Sequence, residues 1–140
     1  MKDITLELVE TIFKVSQLMK KEVISDDKPT LSAPQFYTLM LVNRRENISM
    51  TEIANDFHIE LPSVTSMVAK LCNLGLVKRI EDANDRRLVR LMLTKKGKMV
   101  LKKAADQRKN KLKNCLSRLS DEDKLKLLSI VKSLQNKNEN

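Results

Sequence analysis

Apolar residues at helical spacing, near both ends of the chain, predict three long amphipathic helices. The first is expected at residues 3–23, the second at residues 94–119, and the third after the capping residue Ser120. Their apolar faces comprise Leu8, Ile12, Val15 and Met19 in the first, Leu112, Cys115, Leu116 and Leu119 in the second, and Leu127, Leu128, Val131 and Leu134 in the third. Such faces need a partner, either the same subunit or a second copy of the chain.

Capping patterns mark the beginnings of two shorter helices in the middle of the chain. Ser32-Ala33-Pro34-Gln35 and Ser49-Met50-Thr51-Glu52 both have the spacing of a capping box. In the second box, Ser49 is expected to accept from the Glu52 amide, and the Glu52 side chain to accept from the Ser49 amide. The helix that begins at Ser32 is expected to end near Arg44.

Residues 61–93 predict a further helix followed by a charged hairpin. The helix is expected at residues 61–74, because Val64, Met67, Val68 and Leu71 share one face and Gly75 suits its C-terminus. Two apolar strands, at residues 76–80 and 88–93, flank a turn-forming tip at residues 81–87. Two helices followed by a basic hairpin predict a helix-turn-helix with a wing.

The ordered set of motifs resembles the winged-helix core of the MarR family of bacterial transcription regulators. The matching residues are Thr51-Glu52-Ile53-Ala54, Pro62-Ser63-Val64-Thr65, Leu74-Gly75-Leu76-Val77-Lys78-Arg79, the segment 82–87, and Leu93-Thr94-Lys95-Lys96-Gly97. The resemblance implies a mainly α fold with a small β-wing (α+β), as one MarR-like domain over residues 1–140. Within it, residues 3–31 and 98–137 are expected to form dimerisation helices, and residues 32–97 the winged helix-turn-helix region.

Composition adds a strong positive charge to this picture. The 27 Lys and Arg outnumber the 18 Asp and Glu, which gives a net charge of +9. Twelve Lys or Arg and a single acid, Asp106, occur from Arg86 to Lys113. Such an excess favours a polyanion such as DNA or an acidic membrane. Because no apolar run reaches the roughly 20 residues of a membrane span and no secretory signal is present, we expect a cytoplasmic protein without a membrane partner.

Candidate catalytic and metal-binding residues are few. His58 is the one histidine, and Gly75 and Gly97 are the two glycines, which excludes a multi-histidine metal site and a glycine-rich phosphate loop. Cys72 and Cys115 lie in apolar stripes without a C-x-x-C pattern, so we interpret them as small core residues. Some members of the resembled family sense oxidants through cysteine, which remains an alternative here. We expect neither an enzyme nor a metal or cofactor site.

Nine residues are candidates for DNA contact. On the outward face of the 61–74 helix, hydroxyls can contact phosphates or base edges, an alanine can contact a thymine methyl, and a lysine can reach a phosphate or guanine. These residues are Ser63, Thr65, Ser66, Ala69 and Lys70, and Asp85, Arg86 and Arg87 on the wing and Lys95 after it complete the set. Lys95, Lys96 and Lys98 have the wrong sign for a helix N-terminus, a conflict that a nearby phosphate would remove.

The resemblance implies a sequence-specific transcriptional regulator, expected to be a ligand-responsive repressor that binds a palindromic operator as a homodimer. It also implies that the wing with Asp85 and Arg87 enters the minor groove. We interpret Asp85 as orienting Arg87 through a charge-assisted hydrogen bond and Arg86 as reaching a phosphate, with exchanged roles of the two arginines as an alternative. A small aromatic or anionic effector is a further expected partner. Tyr37, Met40 and Met19 are candidates to line its pocket, although core packing explains them better. A winged helix used for protein contacts and a nonspecific, nucleoid-type DNA binder remain alternatives.

Overall fold

The computed structural model describes residues 3–22 and 31–138 and contains six helices and three strands over these ranges. In chain order they are α1 (Ile4–Glu22), α2 (Ala33–Arg44), β1 (Ile48–Ser49), α3 (Met50–Phe57), α4 (Leu61–Asn73), β2 (Val77–Glu81), β3 (Val89–Leu93), α5 (Lys95–Leu116) and α6 (Asp121–Asn138). The predicted mainly α fold with a small β-wing is confirmed. The expected end of the first helix, at Val23, lies outside the described residues.

The chain divides into two compact units. The first, which we call the winged unit, comprises residues 28–106, and the second, the terminal unit, comprises residues 1–27 and 107–140. Helix α5 contributes residues to both units.

The three strands of the winged unit form one antiparallel sheet in the order β1-β3-β2. Leu91 of the central strand lies opposite Ile48 of β1 on one side and Arg79 of β2 on the other. Strand β1 was not predicted, because its two residues are too short to show an alternating pattern.

The core of the winged unit lies between α2, α3, α4 and the sheet. The side chains with less than 2% exposure include Leu39, Ile48, Ile53, Val64, Val68, Leu71 and Leu91. The predicted core face of α4 is therefore confirmed at three of its four positions, while Met67 is only half-buried. Burial of such a side chain stabilises a fold by about 1.5–3 kcal/mol. The buried hydroxyl of Thr38 donates to the Pro34 carbonyl at 2.8 Å, so this polar group in the core has a hydrogen-bond partner.

The predicted capping boxes begin α2 and α3, but only one of them is complete. In α2, the Gln35 amide donates to Ser32 Oγ at 3.3 Å, and the Ser32 amide donates to Gln35 Oε1 at 3.0 Å. In α3, the Glu52 amide donates to Ser49 Oγ at 3.1 Å, as predicted. The predicted return bond to the Ser49 amide is wrong: the Glu52 carboxylate instead accepts from the Ser49 hydroxyl at 3.1 Å and lies 3.7 Å from Arg90.

A close approach of backbone segments joins the beginning of α5 to the end of α4. Thr94 caps α5, with Oγ1 accepting from the Gly97 amide at 2.9 Å, and its own amide donates to the Leu76 carbonyl at 3.0 Å. Gly97 is buried against this carbonyl, and a Cβ added at Gly97 would lie 2.0 Å from Leu76 O. Gly75, with a φ of +74°, provides the left-handed residue that ends α4.

Apolar side chains of the terminal unit are exposed along α1 and α6. Their exposed fractions range from 38% at Leu127 to 75% at Ile4. The set comprises Ile4, Leu6, Leu8, Val9, Ile12, Phe13, Val15 and Leu18 in α1, and Leu125, Leu127, Leu128, Ile130, Val131 and Leu134 in α6. Helix α6 begins as predicted, because the Asp123 amide donates to Ser120 Oγ at 3.1 Å. Helix α5 ends at Leu116, three residues before its predicted end.

The close approach at Gly97 predicts that Gly97→Ala destabilises the protein. Helix propensity alone would favour alanine by about 0.5–1 kcal/mol. The clash with Leu76 O should outweigh this gain, since overpacking of a buried site costs about 1–3 kcal/mol. We therefore expect a lower free energy of unfolding in urea titrations. Lys102→Ala, at an exposed position of the same helix, is the control and should change it by less than about 0.5 kcal/mol. A more stable Gly97→Ala variant would contradict the prediction.

Candidate nucleic-acid interface

Helix α4 presents the five candidate residues of its sequence-predicted outward face. Ser63, Thr65, Ser66 and Lys70 are exposed, and Ala69 is half-buried. The Thr65 hydroxyl donates to the Leu61 carbonyl at 3.0 Å and keeps its lone pairs free to accept. The surface is thus small and polar, which allows close approach by another molecule.

The turn between α3 and α4 depends on His58. This residue is exposed, has a φ of 54°, and ends α3 with its amide directed at the carbonyls of Ala54 and Asn55. Left-handed backbone is uncommon for residues other than glycine, although histidine adopts it more often than most. The sequence pattern identified His58 only as the one histidine, and its role in the turn was not predicted.

The wing tip is built from two aspartates that accept backbone amides. Asp82 Oδ1 accepts from the amides of Asn84 at 2.8 Å and Asp85 at 3.3 Å. Asp85 Oδ1 in turn accepts from the Arg87 amide at 3.0 Å and from Arg87 Nε at 3.4 Å. The structure therefore brings Asp85 and Arg87 together, and the Arg87 side chain remains 94% exposed. Arg86 is exposed beside it.

Arg90, on β3, was predicted only as one member of the basic run from Arg86 to Lys113. Its Nε donates to Asp82 Oδ2 at 2.6 Å, and its Nη1 donates to the Asn47 carbonyl at 2.9 Å. The amide of Asn84 first, and then the Arg90 guanidinium, hold the pKa of Asp82 below its ordinary value. A charged residue between Val89 and Leu91 of an apolar strand was the sequence signal for this contact.

The lysines at the beginning of α5 differ in their surroundings. Lys96 Nζ donates to the Leu74 carbonyl at 3.0 Å, at the C-terminal end of α4, where a cation is favourable. For Lys96, the predicted conflict with the N-terminus of α5 is therefore offset within the protein itself. Lys95 and Lys98 are exposed. A DNA contact by Lys95 stays a prediction, as do those of the α4 and wing residues.

The residues suggested for an effector pocket are described only in part. Tyr37 is 54% exposed, Met40 packs against the core, and the side chain of Met19 lies outside the described part of the chain. An open cleft of about 280 Å³ lies elsewhere in the winged unit, between Val42 of α2, Leu91 of β3 and Lys98 of α5.

The two cysteines and the acidic residues offer little further chemistry. Cys72 is half-buried against the core, and Cys115 is half-buried on α5. Across residues 3–22 and 31–138, no three His, Cys, Asp or Glu side chains cluster as metal ligands would. None of the helices in those ranges combines the length and the apolar character that crossing a membrane requires.

Two short helices joined at His58, followed by an antiparallel hairpin with an exposed basic tip, define a winged helix-turn-helix protein. Comparison with known proteins refines this class. The model of the MarR family matches residues 31–89, which include the helix-turn-helix and most of the wing. The uncharacterized HTH-type transcriptional regulator YfiV of Bacillus subtilis is 33% identical over 97 residues, which cover 69% of this chain and 61% of YfiV.

Two further similarities extend over most of the chain. The HTH-type transcriptional repressor MdtR of Bacillus subtilis is 26% identical over 134 residues, covering 96% of this chain and 84% of MdtR. The crystal structure of YusO from the same organism superposes with a TM-score of 0.76 at 25% identity, covering 96% of this chain and 93% of YusO. The chain belongs to the MarR family of transcriptional regulators.

The lowered pKa of Asp82 predicts a pH-dependent contribution to stability. Because the folded state holds this pKa below the ordinary 3.8, ionised Asp82 stabilises the fold above that pH. The contribution is lost as the pH falls below 3.8 and through the lower folded-state pKa. Asp82→Asn keeps an oxygen that can accept the two amides but removes the charge.

We therefore expect wild type to be more stable than Asp82→Asn at about pH 6, with the difference shrinking below about pH 4. Urea titrations across this range measure both proteins. Asp106→Asn, at an exposed position on α5, shows the general effect of removing one negative charge. A difference that stays constant down to about pH 2 would contradict the prediction.

Proposed function

We propose that this protein is a transcriptional repressor that binds a palindromic DNA operator as a homodimer and responds to a small ligand. The observation that carries the proposal is the arrangement of the winged unit. An exposed polar face on α4 and an exposed arginine at the tip of the wing belong to one winged helix-turn-helix. In such folds the second helix enters the major groove.

Helix α4 supplies base contacts in this proposal. Ser63, Thr65 and Ser66 carry hydroxyls that can bond phosphates or base edges, and Lys70 can reach a phosphate or a guanine. Ala69 is partly covered, which limits it to an apolar contact such as a thymine methyl. Because the hydroxyl side chains and Ala69 are short, α4 must approach the floor of the groove closely.

The wing supplies contacts to the minor groove and to the phosphate backbone. Arg87 enters the minor groove, where a narrow A·T-rich segment attracts arginine, and Arg86 reaches a phosphate. Asp85 would repel phosphate if it acted alone. Its bonds to the amide and Nε of Arg87 support the alternative role of directing the arginine. Lys95 adds a phosphate contact from the first turn of α5.

Homodimerisation is supported by the exposed apolar side chains of α1 and α6. Apolar side chains left exposed along two helices are typical of an interaction site, and a twofold dimer would cover them with an identical surface. Two copies of α4 would then enter successive major grooves, with half-sites about 10 base pairs apart, centre to centre.

The regulatory part of the proposal rests on a named relative and on a cleft in the winged unit. MdtR, which is similar over most of its length, is named a repressor. The open cleft beside Val42 is lined by apolar side chains together with Lys98 and Glu46. An aromatic effector could pack against its apolar part, and an anionic one could pair with Lys98. A cytoplasmic location follows from action on chromosomal DNA.

Selection of bound fragments from a random DNA pool tests the proposal directly. We expect one enriched sequence with inverted repeats about 10 base pairs apart, protected on one face of the duplex. Light scattering of the free protein should give the mass of a dimer at micromolar concentration. Binding without any enriched sequence would instead favour a nucleoid-type binder, and absence of DNA binding would favour a winged helix used for protein contacts.

Replacement of the wing-tip pair distinguishes positioning of Arg87 from simple charge effects. Arg87→Ala should weaken operator binding by at least about 1 kcal/mol, because a base-edge or groove contact is lost. Its thermal midpoint should barely change, since an exposed ion pair contributes about 0–1 kcal/mol. Asp85→Ala should also weaken binding, although it makes the protein more positive.

Both variants are measured by titration with the selected operator, next to Lys132→Ala and Asp106→Ala. Lys132→Ala removes a positive charge, as Arg87→Ala does, and Asp106→Ala removes a negative charge, as Asp85→Ala does. Both positions are exposed, and neither is proposed to contact DNA. Charge counting predicts that Asp85→Ala and Asp106→Ala both bind tighter. Tighter operator binding by Asp85→Ala would refute the positioning of Arg87.

A further inference from the structure

We propose that Arg90 is a positioning residue that fixes the base of the wing to the helix-turn-helix, so that Arg86 and Arg87 are held where DNA can be reached. This inference rests on the proposed DNA-binding function and adds to it a residue that makes no DNA contact itself. The contacts of the Arg90 guanidinium with three separate parts of the winged unit carry the argument.

Arg90 lies on the central strand of the sheet. Its register partners are Ser49 on β1 and Ile80 on β2, so it lies next to both neighbouring strands. The side chain is 30% exposed, whereas that of Arg87 is 94% exposed. Arg90 is therefore shielded in the place where the wing leaves the body of the unit.

Toward the wing, Arg90 binds Asp82. Arg90 Nε donates to Asp82 Oδ2 at 2.6 Å, and the Asp82 side chain is only 13% exposed. The other oxygen of the same carboxylate accepts from the amides of Asn84 and Asp85. Arg90 thus holds the residue that shapes the turn leading directly into the tip.

Toward the helices, the same guanidinium binds the segment that begins α3. Arg90 Nη1 donates to the Asn47 carbonyl at 2.9 Å and lies 3.7 Å from Glu52 Oε1. Asn47 has a φ of 58°, and Glu52 belongs to the first turn of α3. The wing base and the start of α3 are therefore held by one side chain.

The chemistry of these contacts requires arginine. Its planar guanidinium carries five N–H donors in a fixed arrangement, so it can bond a carboxylate and a carbonyl in different directions. A lysine has one ammonium on a flexible stem, and the two acceptors belong to separate segments. Because the donors of Arg90 are directed at protein acceptors, its effect on DNA is expected to pass through the wing.

Three variants test the role of the Arg90–Asp82 pair in operator binding. Arg90→Gln, Asp82→Asn and the double variant are titrated with the selected operator at a temperature where circular dichroism shows every protein folded. Under the proposal, each single variant binds the operator at least fivefold more weakly than wild type. The double variant loses no more affinity than the single variant with the larger loss. Charge counting predicts tighter binding by Asp82→Asn and compensation in the double variant, and that result would overturn the proposal.

Arg90→Lys and Arg87→Ala supply readouts that a purely stabilising residue would not change. Arg90→Lys keeps the charge but should not restore wild-type affinity. Arg87→Ala should weaken binding at least fivefold in wild type and less than twofold in the Arg90→Gln background, because the wing is already displaced there. Equal losses in both backgrounds would show that Arg90 does not position Arg87.

Amide hydrogen exchange of the free protein separates this inference from the proposed function. Arg90→Gln should exchange faster at residues 82–88 but not in α2 or α4, if the side chain fixes the wing. Unchanged exchange at residues 82–88 would overturn the inference whatever DNA the protein binds. If exchange in the wing is faster but DNA selection finds no operator for wild type, Arg90 still fixes the wing. That result would reject the DNA-binding function alone.

Discussion

The packing of α5 against the turn that ends α4 is the constraint on which the winged unit depends. The Leu76 carbonyl accepts from the Thr94 amide, and Gly97 approaches that carbonyl so closely that no Cβ fits. The Leu74 carbonyl accepts from Lys96, so carbonyls of the turn that follows α4 bond to residues at the beginning of α5. The position of α4, and of the polar face proposed to meet DNA, is thereby fixed from its C-terminal end. The same constraint explains why Thr94 and Gly97 occur three residues apart between the end of β3 and the first turn of α5.

The wing contains two Asp–Arg pairs whose surroundings give them different roles. Asp82 and Arg90 are 13% and 30% exposed, and their bond is 2.6 Å long. Asp85 and Arg87 are 40% and 94% exposed, at 3.4 Å. Water screens the outer pair, so it contributes little to stability and leaves Arg87 available to a partner. The inner pair is shielded and also bonds backbone groups, which suits it to hold a fixed geometry. An ordered base thus carries an accessible tip.

Local patterns predicted most of the fold, because caps and periodicity depend on residues close in sequence. Ser32 with Gln35, the face of α4, and Thr94 before Gly97 all follow such short-range rules. Features that depend on contacts between distant segments were missed. Strand β1 exists because Ile48 pairs with Leu91, and Lys96 finds its acceptor 22 residues away in sequence. Arg90 was similarly hidden, since its partner Asn47 lies 43 residues earlier. The candidate DNA residues follow from the face of α4, from charge and, for Asp85 and Arg87, from the family resemblance, and their contacts remain predictions.

The distribution of side chains separates affinity from specificity in the proposed interface. Basic residues concentrate on the wing and α5, whereas the exposed face of α4 offers mainly hydroxyls and one lysine. Phosphate contacts supply most of the affinity of DNA-binding proteins without reading sequence, and base contacts in the major groove supply discrimination. Short hydroxyl side chains read bases only when the helix lies deep in the groove. The wing and α5 must then hold α4 at that depth, so the rigidity of the Gly97 and Arg90 contacts becomes part of specificity, although neither residue is proposed to touch a base.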